Sequence, residues 1–97
     1  MNEFEENELE ISLVNILSPK GRVKILEVLA MNDELNITEI IRRTSLNHTC
    51  VSNHLDFLKK VDFIQEKRFG RVRIYRYKDE NINAHALKKL IELWSYE

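Results

Sequence analysis

The sequence predicts a mainly helical α+β domain carrying one small β-hairpin, with helices at both ends. Apolar residues recur at helical spacing from Leu9 to Leu58, then give way after Phe63 to period-two alternation around a Phe69-Gly70-Arg71 tip, and helical spacing returns after Asn81. With 97 residues, two glycines and one proline, the chain has room for one core and short connections, so a single domain over 1–97 is expected. A chain this short buries roughly 60 to 70 per cent of its unfolded surface, which leaves a second subunit useful surface to cover.

In chain order, Leu9, Leu13, Ile16 and Leu17 predict a first amphipathic helix within 1–18, closed by Ser18-Pro19 because the residue before a proline avoids helix. Pro19 suits a first helical turn, and Val23, Ile25, Leu26, Val28 and Leu29 carry the second helix to between Met31 and Asp33. Thr38, with the acid Glu39 beside it, reads as the cap of a short third helix whose Ile40 and Ile41 turn inward. Ser45-Leu46-Asn47 makes a turn into a fourth helix from His48 to about Val61, so 38–61 reads as helix, turn and helix. The hairpin occupies 63–78, where Val72 and Ile74 alternate with Arg73 and Tyr75, and one of the two faces is expected to pack. Asn81 or Asn83 caps a last helix over 81–96, striped with Leu87, Leu90, Ile91 and Trp94. That stripe and the first helix's leucines have little domain left to cover, which predicts that the terminal helices meet a symmetry mate.

Charge is distributed unevenly. Ten cations between positions 42 and 78 (Arg42, Arg43, Lys59, Lys60, Lys67, Arg68, Arg71, Arg73, Arg76 and Lys78) face only Asp56, Asp62 and Glu66, whereas the whole chain carries a net charge of −1. Glu3, Glu5, Glu6, Glu8 and Glu10 supply the opposite sign at the N-terminus. A cationic cluster of this density neutralises phosphates and releases their counterions, the main source of sequence-independent affinity for nucleic acid. The plain alternative is a solvated charged face.

The fourth helix sharpens the reading. Val51, Leu55 and Leu58 form its inward stripe, leaving His48, Thr49, Ser52, Asn53, Asp56, Lys59 and Lys60 in water. Short donors and acceptors at one end and lysines at the other suit a major groove, where Asn bridges an adenine edge, Ser and Thr bond bases or phosphates, and Lys reaches the backbone. A hairpin tipped by Arg68, Gly70 and Arg71 lays guanidinium groups on phosphates or in a narrow minor groove, although edge strands also carry cations simply to prevent aggregation. Helix, turn, helix and basic hairpin in this order describe a winged helix-turn-helix.

Three stretches carry a family resemblance. Pro19 to Leu26, Ser52-Asn53-His54-Leu55-Asp56-Phe57-Leu58, and Arg68 to Tyr77 resemble the ArsR-type winged-helix transcription regulators, over nearly the whole chain. The resemblance implies a homodimer on operator DNA, with the first and last helices as its interface and with Ser52 and His54 near the DNA backbone. Two departures stand out. Asp62 replaces the glycine that many relatives carry after the recognition helix, and the paired cysteines or Asp and His pairs of metal-sensing members are missing, so neither metal nor cofactor is expected. His54 also reads as a half-buried core-margin histidine, and Cys50 as a packed filler without a role.

Catalysis is not expected, since no nucleophile has a base, no glycine-rich phosphate loop exists, and no carboxylates pair. Lacking an apolar run long enough for a bilayer, the chain is expected in the cytoplasm. The expected function is therefore sequence-specific recognition of double-stranded DNA by a homodimer, most simply as a repressor, with the effector unspecified. Asn47, His48, Thr49, Ser52 and Asn53 are the candidates for base or near-base contacts, and Thr38, Arg43, His54, Lys59, Lys60, Arg68, Arg71 and Arg73 for phosphates. Leu9, Leu13, Ile16, Leu17, Leu87, Leu90, Ile91 and Trp94 are the candidates for the dimer interface. The competing reading is a winged helix that docks on another protein of the transcription machinery, using the same exposed helix.

Overall fold

The computed structural model describes residues 12–96. Its elements run α1 (Leu13–Ile16), α2 (Lys20–Asn32), β1 (Glu34–Asn36), α3 (Ile37–Thr44), α4 (His48–Lys60), β2 (Ile64–Phe69), β3 (Val72–Tyr77) and α5 (Ile82–Ser95). The strands form one antiparallel sheet in the order β1-β3-β2. Leu35 lies opposite Tyr75 on one side of β3, and Glu66 opposite Tyr75 on the other.

The central helix is α2, which packs on α3, α4 and α5 and fills the middle of the core with Ile25, Leu26, Leu29 and Ala30. Around it lie Ile40, Val51, Leu55, Leu58, Val61, Phe63, Ile64, Tyr75, Tyr77 and Ala84. Burying each of the larger side chains contributes roughly 1.5 to 3 kcal/mol relative to exposure. Tyr77 also bonds the sheet to the last helix, its hydroxyl donating to the carbonyl of Ala84 at 2.7 Å while burial pushes its pKa up.

Several sequence expectations are revised. Strand β1 was not anticipated: its three residues lie between the left-handed Asp33 (φ 68°) and the cap Asn36, too short for any periodicity to register. Asn36, not Thr38, caps α3, accepting from the Glu39 N–H at 2.8 Å, and Thr38 sits exposed inside the first turn. In β3 the buried face carries Tyr75 and Tyr77 while Val72 is exposed, because the two tyrosines bring the larger apolar area and Tyr77 is tied to α5. Asp62 does adopt the left-handed conformation (φ 67°) that glycine fills in many relatives. The hairpin tip is a two-residue loop in which only Gly70 has positive φ (64°), the geometry in which glycine comes first.

Candidate nucleic-acid interface

Helices α3 and α4 are held at a fixed angle by a small set of local bonds. Ser45 ends α3 in the left-handed region (φ 62°), the buried Thr44 hydroxyl donates back to the Ile40 carbonyl at 2.7 Å, and Asn47 opens α4 by accepting from the Cys50 N–H at 2.8 Å. Asn47 is therefore a cap, and of its two side-chain groups only the amide nitrogen remains to offer a base. Behind α4, Val51, Leu55 and Leu58 are fully buried. In front, Thr49, Asn53, Asp56 and Lys60 follow one another at intervals of four, three and four residues and are all exposed, forming a single outward stripe. His48 is exposed beside it and Ser52 half-buried.

His54 resolves toward the interior: it is only 9% exposed. Its Nδ1 accepts from Arg22 Nε at 3.3 Å, and burial first, then the Arg22 charge, holds its pKa below the ordinary histidine value. Arg22 in turn donates to the Asn15 carbonyl and lies 3.8 Å over the Phe57 ring, so one side chain joins α2 to the segment before it and to two turns of α4. Sequence reasoning did not single out Arg22, because neither its spacing nor its neighbours distinguish it from a surface cation.

The cationic cluster is largely internally paired. Lys59 reaches Glu66 at 2.6 Å and Arg68 reaches the same carboxylate at 3.1 Å; Arg42 and Arg43 share Glu39; Lys67 meets Glu34, Arg76 meets Glu80 and Lys78 meets Asp62. Lys60, Arg71 and Arg73 are the cations of the cluster with no ion pair among the described residues. The Lys59–Glu66 bond also fastens the hairpin to the end of α4. Burial raises the pKa of Tyr75, and its hydroxyl feels Glu66, Arg73, Lys59 and Asp56 together, which puts Arg73 in the same neighbourhood as the exposed side of α4. Beside the tip, Phe69 and Val72 are exposed apolar residues that sequence reasoning had not marked.

A second surface lies on the terminal helices. Trp94 is 75% exposed and Leu93 70%, with Leu90, Leu13 and Val14 also open to solvent. Leu17, Leu87 and Ile91 are half-buried against the core. Ile16, expected on the interface, is instead 2% exposed and belongs to the protomer's own core; Leu9 lies outside the described residues. Two apolar clefts of about 320 and 300 Å³ run along this face, and both are lined by Leu87 and Leu90.

Among the described residues no group of three or more His, Cys, Asp or Glu side chains is placed to hold a metal, and no helix is long and apolar enough to cross a membrane. No curated protein matches the chain. Residues 19–66, from the start of α2 through the helix-turn-helix into β2, match the family model of the bacterial regulatory proteins of the arsR family. Among solved structures, HlyU from Vibrio cholerae N16961 is similar over all of both chains at 18% identity with a TM-score of 0.76. The transcriptional repressor PagR of Bacillus anthracis is 26% identical, with 92% of this chain and 99% of that one covered and a TM-score of 0.69. A homodimeric winged helix-turn-helix DNA-binding domain from Mycobacterium bovis is 28% identical over 86% of this chain and 74% of its own, with a TM-score of 0.68. With β2 and β3 forming the wing behind a helix-turn-helix of α3 and α4, the chain has the winged helix-turn-helix fold, and over residues 19–66 it is similar to the bacterial transcriptional regulators of the arsR family.

Proposed function

We propose that the protein acts in the cytoplasm as a homodimeric, sequence-specific repressor that inserts α4 into the major groove and lays the β2–β3 wing along the phosphate backbone. The observation that carries this is the outward stripe of Thr49, Asn53, Asp56 and Lys60, combined with Arg71 and Arg73, which have no ion pair among the described residues, on a hairpin fastened to the same helix through Lys59 and Glu66. Asn53, Thr49 and His48 face base edges, Ser52 and the Asn47 amide lie at the margin, and Thr38, Arg43, Lys60, Arg71 and Arg73 reach phosphates. Lys59 and Arg68 contribute to the field while holding Glu66. The exposed Leu13, Leu90 and Trp94, with Leu93, form the dimer contact, as the homodimeric state of the Mycobacterium bovis domain supports. Two-fold symmetry then sets half-sites about one helical turn apart, roughly 34 Å.

A gel-shift titration over salt concentration tests the reading, using fragments selected from random duplexes alongside unselected ones. Asn53→Ala is expected to narrow the gap between selected and random DNA by about 1 to 3 kcal/mol, while Arg71→Ala weakens both equally and flattens the salt slope by about 1. No binding at low salt would instead favour a winged helix that docks on protein.

A further inference from the structure

The hairpin tip carries an apolar pair that the groove and phosphate contacts above leave unused. Phe69 and Val72 stand directly opposite each other on β2 and β3, on either side of the Gly70-Arg71 loop, and residues so paired share one face of the ribbon. The next pair down, Arg68 and Arg73, faces the other way, on the side that continues through Glu66 and Tyr75 to the core. The tip therefore has a cationic face, an apolar face and Arg71 at its apex. Phe69 is 62% exposed and Val72 48%, so the protomer's own core does not account for either. The apex is unobstructed: a Cβ on Gly70 would meet nothing within 4 Å. Around the pair, residues 67–78 include six cations and no acid, and Arg71 has no ion pair among the described residues.

We propose that Phe69 and Val72 together are a specificity determinant, packing on the deoxyriboses and base edges of a minor groove and selecting A·T pairs there. This rests on the DNA-binding reading above and adds base selection to a wing so far assigned only to phosphates. Two apolar side chains are too few for a protein interface, which buries about 800 Å² per partner, and an all-cationic surround suits a polyanion. Apolar side chains that enter a minor groove wedge against its base steps and bend the duplex. The choice of base follows from hydrogen bonding. A minor groove of A·T pairs shows only acceptors, whereas each G·C pair adds the guanine 2-amino donor. Arginine only donates, and Phe and Val do neither. No side chain at this tip therefore accepts from that amino group, and covering it leaves a donor unsatisfied.

The test uses the full chain and exchanges G·C for inosine·C, one pair at a time, along a selected duplex on both sides of the bases that α4 reads. Inosine lacks the 2-amino group and keeps the major-groove edge of guanine. The wild type is expected to bind about tenfold tighter when inosine stands at a pair that the tip covers. Phe69→Ser/Val72→Thr adds hydroxyls that accept from the amino group and alters no charge. It is expected to reduce that preference below about twofold with an unchanged salt slope. Both positions are exposed, so thermal unfolding and sedimentation of the variant are expected to match the wild type. A wild type indifferent to inosine at every position, or a variant that keeps the full preference, overturns the apolar contact while the reading of α4 stands. A variant with altered subunit assembly assigns the pair to a protein contact and overturns the proposal too. If the wild type itself binds no duplex, both readings fall.

Discussion

Glu66 shows how one residue shapes the charge of the surface proposed to face DNA. It lies on β2, mostly buried, with Lys59 of α4 on one oxygen and Arg68 of the wing on the other. Two cations that a count along the sequence would assign to DNA are thereby also fixed in place, and the wing acquires a defined angle to the helix. The Lys59 bond first, and the Arg68 bond to a lesser degree, hold its carboxyl below the usual value of 4.5. A carboxyl whose folded pKa is depressed stabilises the fold above the unfolded pKa and loses that contribution as pH falls through the folded one. Glu66→Gln is therefore expected to cost about 1 kcal/mol near pH 7, with the difference from wild type shrinking steadily below about pH 4.5. Chemical denaturation at pH 7 and pH 3 measures it; a gap as wide at pH 3 as at pH 7 would show that the carboxylate's charge is not what joins wing to helix.

Among the elements, the helix-turn-helix depends on two asparagine caps placed eleven residues apart, Asn36 before α3 and Asn47 before α4, each accepting the N–H three residues on at 2.8 Å. Asn47→Ala is expected to cost about 1 kcal/mol, which in a domain of this size lowers Tm by about 4 to 8 °C, and Asn47→Asp is expected to retain the cap. A scanning calorimeter reads both; an unchanged Tm in Asn47→Ala would mean that α4 starts by packing alone. Helices α2, α4 and α5 were legible in the sequence because each carries a long apolar stripe, and Asp62 drew notice only through the resemblance, as the residue standing where many relatives carry glycine. Strand β1 was not, since pairing with β3 and not its own pattern makes it a strand. Which face of the wing packs was left open by the alternation, and the structure buries the one bearing Tyr75 and Tyr77, with the Tyr77 hydroxyl bonded to α5. The site was legible as a list of polar residues. What the list could not contain was tertiary pairing: that Asn47 is engaged as a cap, that His54 faces Arg22, and that Glu66 gathers cations from two elements.

At the scale of the molecule, two surfaces with opposite chemistry share one small core. The polar stripe of α4 with the wing forms one, and the exposed apolar face of α5 with α1 forms the other. Helix α2 lies between, packed on both α4 and α5. An apolar face bearing Leu90, Leu93 and Trp94 in open water is hard to reconcile with a soluble monomer, whereas a symmetry-related copy laid on it buries each of these residues twice over. Pairing also affects the DNA-binding end. In the proposed dimer, two copies of α4 and its wing held at a fixed spacing would bind as a bivalent unit, with an effective concentration for the second half-site that raises affinity about 10² to 10⁴-fold. Replacing Leu93 or Trp94 by Glu changes only exposed side chains, so each protomer is expected to keep its helical content and unfold cooperatively. The variant is expected to sediment as a monomer and to lose at least a hundredfold in affinity for a two-half-site duplex, with little change for a single half-site. Sedimentation velocity and titration against both duplexes read the two effects separately. A variant that stays dimeric would move the contact off this face, and a monomer that binds both duplexes like the wild type would show that coupling between half-sites does not depend on α5.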